Sequence, residues 1–227
     1  MTGVRAQQRV EMISEIKRLA REQIATEGAP NLSLRAIARD IGVASSALYR
    51  YYDTRDQLLT DLIIDTYDEI GRVVEKADAR MKRSDLRGRW RAISQSLRTW
   101  ALAHPSDFGL VFGTPIPGYV APDDTIGPAK RYTTVLLQLL NDLQVAGVSP
   151  GNNSPVTKSL RNQYAILCGR LGFEISDDHM RAGLSAWMSL IGAVSLEVFG
   201  QLDNVLPRPG DQFESTMEIL ATNILGL

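Results

Sequence analysis

Apolar residues recur every three to four positions along most of the chain, which is the spacing expected of helices that bury one face. The first such stretch covers residues 7–27 and ends at the Gly-Ala-Pro-Asn run 28–31. Its predicted inward stripe consists of Val10, Ile13, Ile16, Ala20 and Ile24. Residues 1–6 are predicted to form a short disordered arm. Since no stretch alternates as a strand would and no segment repeats, the predicted fold is all-α, with about nine or ten helices.

Residues 33–55 predict two short helices joined by a tight turn. Ser33 has the side chain of a helix cap, and it precedes an apolar stripe that runs from Leu34 to Ile41. Gly42 follows directly, and glycine adopts the left-handed conformation that ends a helix. The second helix is expected to begin around Ala44, to bury Leu48 and to end near Tyr51 and Tyr52.

The second helix of this pair leaves small and polar side chains outside, among them Ser46, Tyr49 and Arg50. In a helix-turn-helix, the first helix crosses the DNA backbone and the second reads bases with its N-terminal residues. Hydroxyl groups contact base edges or phosphates, and tyrosine and arginine side chains bind phosphates. The pattern alone leaves two interpretations open, namely a DNA-binding motif and an ordinary helical hairpin with a polar face.

The residues of this motif resemble the DNA-binding domain of TetR-type transcriptional regulators over roughly residues 8–65. That family usually shows a GVS…LYxHF…K…LL run, and this chain has GV at 42–43, LY at 48–49 and LL at 58–59. It departs from the run at four positions, where this chain has Ala44 in place of the family's Ser or Thr, Tyr51 in place of His, Tyr52 in place of Phe and Arg55 in place of Lys. Because the Ala44 methyl group accepts no hydrogen bond, we expect Ser45 to cap the second helix.

The resemblance implies two domains joined by a helix. Residues 7–55 would form a three-helix DNA-binding domain with its motif at 33–52, and residues 56–80 the linking helix. Residues 81–227 would form a larger helical domain for ligand binding and dimerisation. Family members usually dimerise through two C-terminal helices, here at about 177–202 and 211–225; the alternative is that both helices only close the core of one monomer.

The implied function is that of a ligand-responsive transcriptional regulator, a repressor that binds a pseudo-palindromic operator in double-stranded DNA as a homodimer. The alternative is a helical small-molecule-binding or interaction protein without DNA-binding activity. Serines 45 and 46 would read bases, and the other polar contacts would bind phosphates. The predicted DNA contacts are Ser33, Arg35, Ala44, Ser45, Ser46, Tyr49, Arg50, Tyr51 and Arg55.

A small apolar or amphipathic effector would bind among aromatic and aliphatic side chains of the C-terminal region. The alternative for each of these residues is an ordinary core position. The Pro- and Gly-rich segment 113–122 is too irregular for a helix, and it is either a wall of that pocket or a surface loop. The candidate ligand-binding residues are Trp100, Phe108, Phe112, Tyr119, Tyr132, Leu136, Tyr164, Cys168 and Trp187.

The charge distribution has the sign expected for a DNA-binding N-terminus, although it is small. Residues 1–60 carry nine Lys and Arg against seven Asp and Glu, a net charge of +2, whereas the whole chain of 227 residues has −1. The charge-rich segment 82–91 is interpreted as a solvated linker that leads into a helix; the alternative is a basic patch on DNA.

No catalytic, metal or cofactor site is predicted, and the chain is not expected to be an enzyme. Its two histidines, His104 and His179, lie far apart without a metal-binding spacing, and His179 is expected to be exposed. Cys168 is the one cysteine and is interpreted as a buried apolar residue, so no intramolecular disulfide is possible. Because no secretory signal or membrane-spanning segment is found, a cytoplasmic protein is predicted.

Overall fold

The computed structural model describes residues 2–151 and 154–227, and within these ranges the secondary structure is helical, without β-strands. Short 3-10 turns cover Ala29–Asn31 and Asp123–Thr125, and a π-helical stretch covers Leu220–Leu225. The all-α prediction is therefore confirmed. The α-helices of the described residues are α1 Thr2–Glu27, α2 Leu34–Ile41, α3 Ser45–Leu48, α4 Arg55–Ala79, α5 Leu86–Ala103, α6 Pro105–Phe112, α7 Ile126–Val145, α8 Lys158–Leu171, α9 Asp177–Val198 and α10 Pro209–Ile219.

The first helix begins earlier than predicted. Residues 2–6 are helical, so the expected disordered arm is wrong for them, and Met1 lies outside the described residues. A hydrogen bond of 2.9 Å from Gln7 Nε2 to Glu11 Oε1 stabilises this end of α1 locally. Val10 was expected to point inward, yet it is 62% exposed, because the buried stripe of α1 begins only further along.

The chain divides into two compact units. Unit 1 contains Met1–Tyr67 and Ser106–Pro128, and unit 2 contains Asp68–Pro105 and Ala129–Leu227. The helix α4 contributes its N-terminal half to unit 1 and its C-terminal half to unit 2. The segment 106–128 thus clusters with the N-terminal helices, although sequence reasoning assigned it to the C-terminal domain.

The core of unit 1 lies between α1, α2 and the first half of α4. Leu58, Leu59 and Leu62 of α4 are fully buried, and each apolar side chain of this size stabilises the fold by roughly 1.5–3 kcal/mol relative to an exposed one. The core residues contributed by the other elements are Ile16, Ala20, Ile24, Leu32, Leu34, Ile37, Ala38, Leu48 and Tyr52.

Helix α6 and the segment that follows it pack within unit 1. Phe108 is fully buried, and Asp107 accepts a hydrogen bond of 3.2 Å from Arg21 Nε on α1. In the segment 113–122, Ile116 packs against the core, and the Tyr119 hydroxyl lies 3.0 Å from Thr60 Oγ1 on α4. This segment is therefore packed on the N-terminal core through long-range contacts that its own sequence does not reveal.

Unit 2 is built from α5 and from α7 to α10 beside the end of α4. Trp90 Nε1 on α5 donates to the carbonyl oxygen of Met217 on α10 over 2.9 Å. Arg98 on α5 forms a bidentate ion pair with Glu197 on α9, in which the closest nitrogen–oxygen distance is 2.5 Å. A Cβ at Gly183 of α9 would lie 2.1 Å from a methyl group of Leu140, so glycine permits α9 to approach α7 closely.

A buried guanidinium joins three parts of unit 2. Arg89 on α5 has no exposed side-chain surface, and it pairs with Asp78 of α4 and Asp142 of α7 at 2.7 and 2.6 Å. Arg83 pairs with the same two carboxylates. The prediction of a solvated linker at 82–91 is therefore wrong for Arg89, because two partners distant in sequence compensate its charge inside the unit.

His179 is also buried, against the prediction. Its ring contacts Ser176 Oγ through Nδ1 at 2.8 Å and the carbonyl oxygen of Val148 through Nε2 at 2.9 Å. Both ring nitrogens thus have partners, which allows a polar ring at the start of α9 to be buried. Among the helices of the described residues, none has both the length and the apolar character needed to cross a membrane.

Candidate nucleic-acid interface

Helix α2 is defined at both ends by the residues expected to do so. Ser33 is the N-cap, and its Oγ accepts a hydrogen bond of 3.3 Å from the N–H of Ala36. Gly42 ends the helix in the left-handed conformation with φ 79°, and it donates to the carbonyl oxygen of Arg39. The inner face of this helix buries Leu34, Ile37 and Ala38. The cap, stripe and glycine turn of the sequence prediction are therefore confirmed.

Helix α3 is much shorter than predicted. It contains only Ser45–Leu48, and residues 49–51 continue as a turn. Ala44 is its N-cap in an extended conformation without a side-chain cap, so the expected capping role of Ser45 is wrong. Leu48 is 1% exposed and fixes the short helix on the core through burial rather than through local capping.

The residue that follows this turn is held on α4. Tyr52 is 2% exposed, and its hydroxyl donates to Asp61 Oδ2 over 2.9 Å. Burial, together with this bond, raises the pKa of Tyr52 well above its ordinary value, so the hydroxyl remains a donor. Asp61 also lies 3.4 Å from Lys17 Nζ on α1. The chain after α3 is thus attached to two helices beneath it.

A surface groove of about 300 Å³ lies between the starts of α2 and α4 and the end of the α3 turn. It brings together predicted contacts that are well separated in sequence, with Tyr49 being 40% exposed. Three of its residues were not among the predicted contacts, namely the buried Leu34 and the exposed Asp53 and Thr54. The lining residues are Ser33, Leu34, Arg35, Tyr49, Asp53, Thr54 and Arg55.

The signal for Thr54 was present in the sequence, because its spacing to Gln57 predicts a capping box. The structure bears out this cap, with the Gln57 N–H donating to Thr54 Oγ1 over 3.1 Å. Gln57 Oε1 accepts instead from the N–H of Asp53, over 2.8 Å. For Asp53 the sequence held one signal, namely its position between the motif residue Tyr52 and the helix cap Thr54.

The other predicted contacts lie outside the groove. Ala44, Ser46 and Arg50 are exposed, while Ser45 is half-buried as the first residue of α3. Tyr51 is half-buried against the core, and the guanidinium of Arg9 lies over its ring at 5.1 Å from the centroid. Within unit 1, Ser46 and Arg50 are therefore more open to a partner than Tyr51.

Arg55 has a structural partner. Its Nη2 donates to the carbonyl oxygen of Ala29 over 3.0 Å, which attaches the 3-10 turn after α1 to the start of α4. Its Nε is buried without a hydrogen-bond partner. Sequence reasoning could not anticipate this bond, because it links residues 26 positions apart.

The predicted ligand-binding residues fall into both units. Phe108, Phe112 and Tyr119 belong to unit 1, and the others belong to unit 2. In unit 2 the residues Trp100, Tyr132, Tyr164 and Cys168 are buried, and Leu136 and Trp187 are half-buried. The indole Nε1 atoms of Trp100 and Trp187 are buried without a hydrogen-bond partner.

The helices predicted to dimerise carry exposed apolar side chains in unit 2. Leu196 of α9 is 43% exposed and Ile219 of α10 is 52% exposed, and Met188 and Phe199 are exposed as well. A shallow groove of about 370 Å³ runs between α9 and α10, with Gly192, Ala193 and Leu196 in its wall. The described residues contain no group of three or more His, Cys, Asp or Glu side chains placed to hold a metal ion.

Two family models match the chain, and together they cover most of it. The model of bacterial regulatory proteins of the tetR family matches residues 16–62, and the model of tetracyclin repressor-like C-terminal domains matches residues 90–220. The chain belongs to the TetR family. It is a transcriptional regulator with a helix-turn-helix domain and not an enzyme.

Similar proteins agree with this assignment. The HTH-type transcriptional regulators Rv1816 of Mycobacterium tuberculosis and Mb1846 of Mycobacterium bovis are each 34% identical to this TetR-family chain over 228 residues, covering 96% of it and 94% of the relative. The crystal structure of SCO4313 is 33% identical, with a TM-score of 0.79 over 95% of this chain and 97% of that one. A TetR family transcription regulator from Marinobacter aquaeolei VT8 shares the fold, with a TM-score of 0.62 at 16% identity over 99% of this chain and 98% of that one.

The turn between α2 and α3 depends on the backbone freedom of Gly42. An alanine there has no atom within 4 Å of its Cβ, so Gly42→Ala should destabilise only by forcing an L residue into φ 79°, by about 1–2 kcal/mol. Urea unfolding followed by circular dichroism measures this loss. Gly127→Ala is the control, since its Cβ is equally free and its φ is ordinary. Equal losses for the two variants would contradict the assignment.

Proposed function

We propose that this TetR-family regulator binds a pseudo-palindromic operator as a homodimer, acts as a repressor, and is released by a small apolar or amphipathic effector. The observation that carries the proposal is the groove in unit 1 where Ser33, Arg35, Tyr49 and Arg55 meet. Hydroxyl and guanidinium groups are the donors that proteins commonly use on DNA phosphates. The groove therefore supports a phosphate site beside the helix that would read bases.

The contact residues divide into three roles under this proposal. Ser46, which is exposed, reads base edges together with Ser45. The small side chain of Ala44 lets the start of α3 come close to the floor of the DNA major groove. Tyr49 binds phosphate together with Ser33, Arg35 and Arg50. Tyr51 and Arg55 already have partners in Arg9 and Ala29, so we assign them mainly to holding the interface in shape.

A homodimer through α9 and α10 is supported by their exposed apolar side chains. Apolar patches of this kind on a soluble domain mark sites of association. Small residues at Gly192 and Ala193 would let a partner helix approach closely along the groove between α9 and α10. A two-fold dimer would place its two α3 helices in successive major grooves, about 34 Å apart.

The effector is proposed to bind in unit 2, near Trp100, Tyr132, Leu136, Tyr164, Cys168 and Trp187. A buried donor without a partner costs roughly 1–3 kcal/mol, so the two unpartnered indole N–H groups favour an effector with acceptor oxygens. Phe108, Phe112 and Tyr119 pack in unit 1, and we assign them to its core instead.

Helix α4 is proposed to carry the effect of the effector. In unit 1 its residues Asp61 and Asp65 pair with Lys17 of α1, and in unit 2 its residues Asp68 and Glu75 pair with Arg131 of α7. One continuous helix therefore has fixed partners in both units, which is the kind of element that couples distant sites.

The decisive experiment is selection of duplexes from a random pool by the purified protein. The enriched duplex is then titrated against a scrambled one at about 50 and about 200 mM salt. We expect an enriched palindrome and a steep fall of affinity with salt. Failure to enrich any sequence, without salt-dependent binding, would instead favour a helical ligand-binding protein that lacks DNA-binding activity.

Two substitutions separate phosphate binding from base reading. Tyr49→Ala and Tyr49→Phe should each weaken the enriched and the scrambled duplex alike, by roughly tenfold, because the lost hydroxyl binds a charged phosphate. Ser46→Ala should instead reduce the ratio between the two dissociation constants by several-fold, since base contacts carry specificity. Ser14→Ala on the exposed side of α1 is the control. A parallel loss on both duplexes for Ser46→Ala would refute its assignment to bases.

The dimer surface is tested by placing a charge on it. Leu196→Glu should weaken dimerisation by roughly 30-fold or more, because it puts an unpaired carboxylate into an apolar contact. Val145→Glu, on a side chain 78% exposed at the end of α7, introduces the same charge elsewhere and should leave the dimer intact. Sedimentation equilibrium across a dilution series measures both. Unchanged association of the Leu196 variant would exclude this surface.

The effector chemistry is tested on the protein bound to its enriched duplex. Amphipathic compounds with carbonyl or carboxylate oxygens should release the protein from DNA, whereas hydrocarbons of equal length should not. Trp100→Phe keeps an aromatic side chain and removes the indole N–H, so it should weaken release by about fivefold to tenfold while DNA binding without compound stays normal. Release that is equally strong in this variant would argue against Trp100 as the donor.

A further inference from the structure

We infer that Asp53 competes with DNA phosphate for the groove and so limits the affinity of this regulator for every duplex, without reading sequence. The inference rests on the proposed DNA-binding function and deepens it. It assigns a role to the acidic residue of the unit 1 groove, whose other polar side chains carry donor groups.

The position of Asp53 is fixed from both sides. Tyr52 before it is buried and bonded to Asp61, and Thr54 after it caps α4. Its own N–H donates to Gln57 Oε1 over 2.8 Å. The backbone therefore keeps this exposed side chain at the groove, beside Arg35 and Tyr49.

The carboxylate of Asp53 has no ion-pair partner among the described side chains. Two other aspartates of unit 1, Asp40 and Asp56, each have a cation close by, with Arg39 at 3.8 Å and Arg55 at 3.9 Å respectively. Among the side chains that the structure describes, none forms an ion pair or a hydrogen bond with the Asp53 carboxylate. Because Thr54 provides the cap, α4 does not need this carboxylate in order to begin.

A phosphate bound by the groove donors would meet this unpaired negative charge. At a separation of about 7 Å and an effective dielectric of about 20–40 near the protein surface, two unit charges repel enough at about 50 mM salt to lower the affinity by roughly threefold to tenfold. Salt reduces this repulsion, because the Debye length is only about 8–10 Å at physiological ionic strength. Since every duplex carries the same phosphates, the repulsion does not depend on sequence.

The consequence is a weaker hold on DNA at an unchanged preference between sequences. Lower affinity for the bulk of DNA leaves more of the protein free to reach its operator. It also keeps operator occupancy within the range that a modest effector-induced change of affinity can reverse.

The test compares Asp53→Asn with wild-type protein on a mixed-sequence duplex of about 30 base pairs, roughly three helical turns, and on the enriched duplex. The variant removes the charge and keeps the shape. We expect both dissociation constants to fall by the same factor, roughly threefold to tenfold at about 50 mM salt, and by less at about 200 mM.

Asp124→Asn, which makes the same charge change at an exposed residue of unit 1 outside the groove, should alter both constants by less than about twofold. Thermal unfolding by circular dichroism verifies that both variants fold.

The outcomes separate this inference from the proposed function. Wild-type binding with no gain in the Asp53 variant, or an equal gain in the Asp124 variant, would overturn the competitor role alone. A loss confined to the enriched duplex would make Asp53 a base-reading residue, which also overturns it. Absence of binding by all three proteins to either duplex would overturn the proposed function and this inference with it.

Discussion

The burial of α4 along one face is the constraint on which the rest of the structure depends. Leu58, Leu59 and Leu62 are fully buried in unit 1, and Ile70 and Val74 continue the stripe in unit 2. With roughly 1.5–3 kcal/mol for each side chain removed from water, this face stabilises two cores with a single helix. Neither unit has its complete set of core residues without α4, which makes the helix a shared structural element.

Polar contacts on α4 orient the elements that pack against it. The hydrogen bond from Tyr52 to Asp61 and the ion pair of Lys17 with Asp65 set how the α3 turn and α1 lie on its first half. In unit 2, a Cβ at position 71 would clash with Arg131, so Gly71 permits α7 to approach α4 closely there. These contacts are geometrically specific, whereas apolar packing alone tolerates small shifts. They give a physical basis for the proposed coupling between effector and DNA.

The proposed DNA-facing surface combines donors with a nearly balanced charge. Arginines 35, 39, 50 and 55 are accompanied by Asp40, Asp53 and Asp56, in keeping with a net charge of only +2 over residues 1–60. Electrostatic attraction supplies most of non-specific DNA binding. Under the proposed function, a nearly balanced charge leaves the discrimination of DNA to the geometry of the unit 1 groove and the side chains of α3, which is the logic behind the role inferred for Asp53.

The sequence by itself determined the features that depend on neighbouring residues. The cap at Ser33, the stripe of α2, the left-handed turn at Gly42 and the cap at Thr54 follow from interactions within four or five positions, and all are present. The family resemblance rested on the same local run and is confirmed. Periodicity also predicted the all-α class, because burying one face of a helix needs a regular spacing.

Only the tertiary structure decided the features that depend on distant partners. The buried position of Arg89 depends on Asp78 and Asp142, that of His179 on Val148, and the packing of the segment 113–122 on Thr60 and the core of unit 1. Helix α3 ends at Leu48 because burial of Leu48 and Tyr52 fixes the chain, although the local pattern permits a longer helix. From sequence alone, a charged or polar residue is predicted to be exposed to solvent, because the partner that would compensate it on burial comes from a distant part of the chain and is known only from the fold.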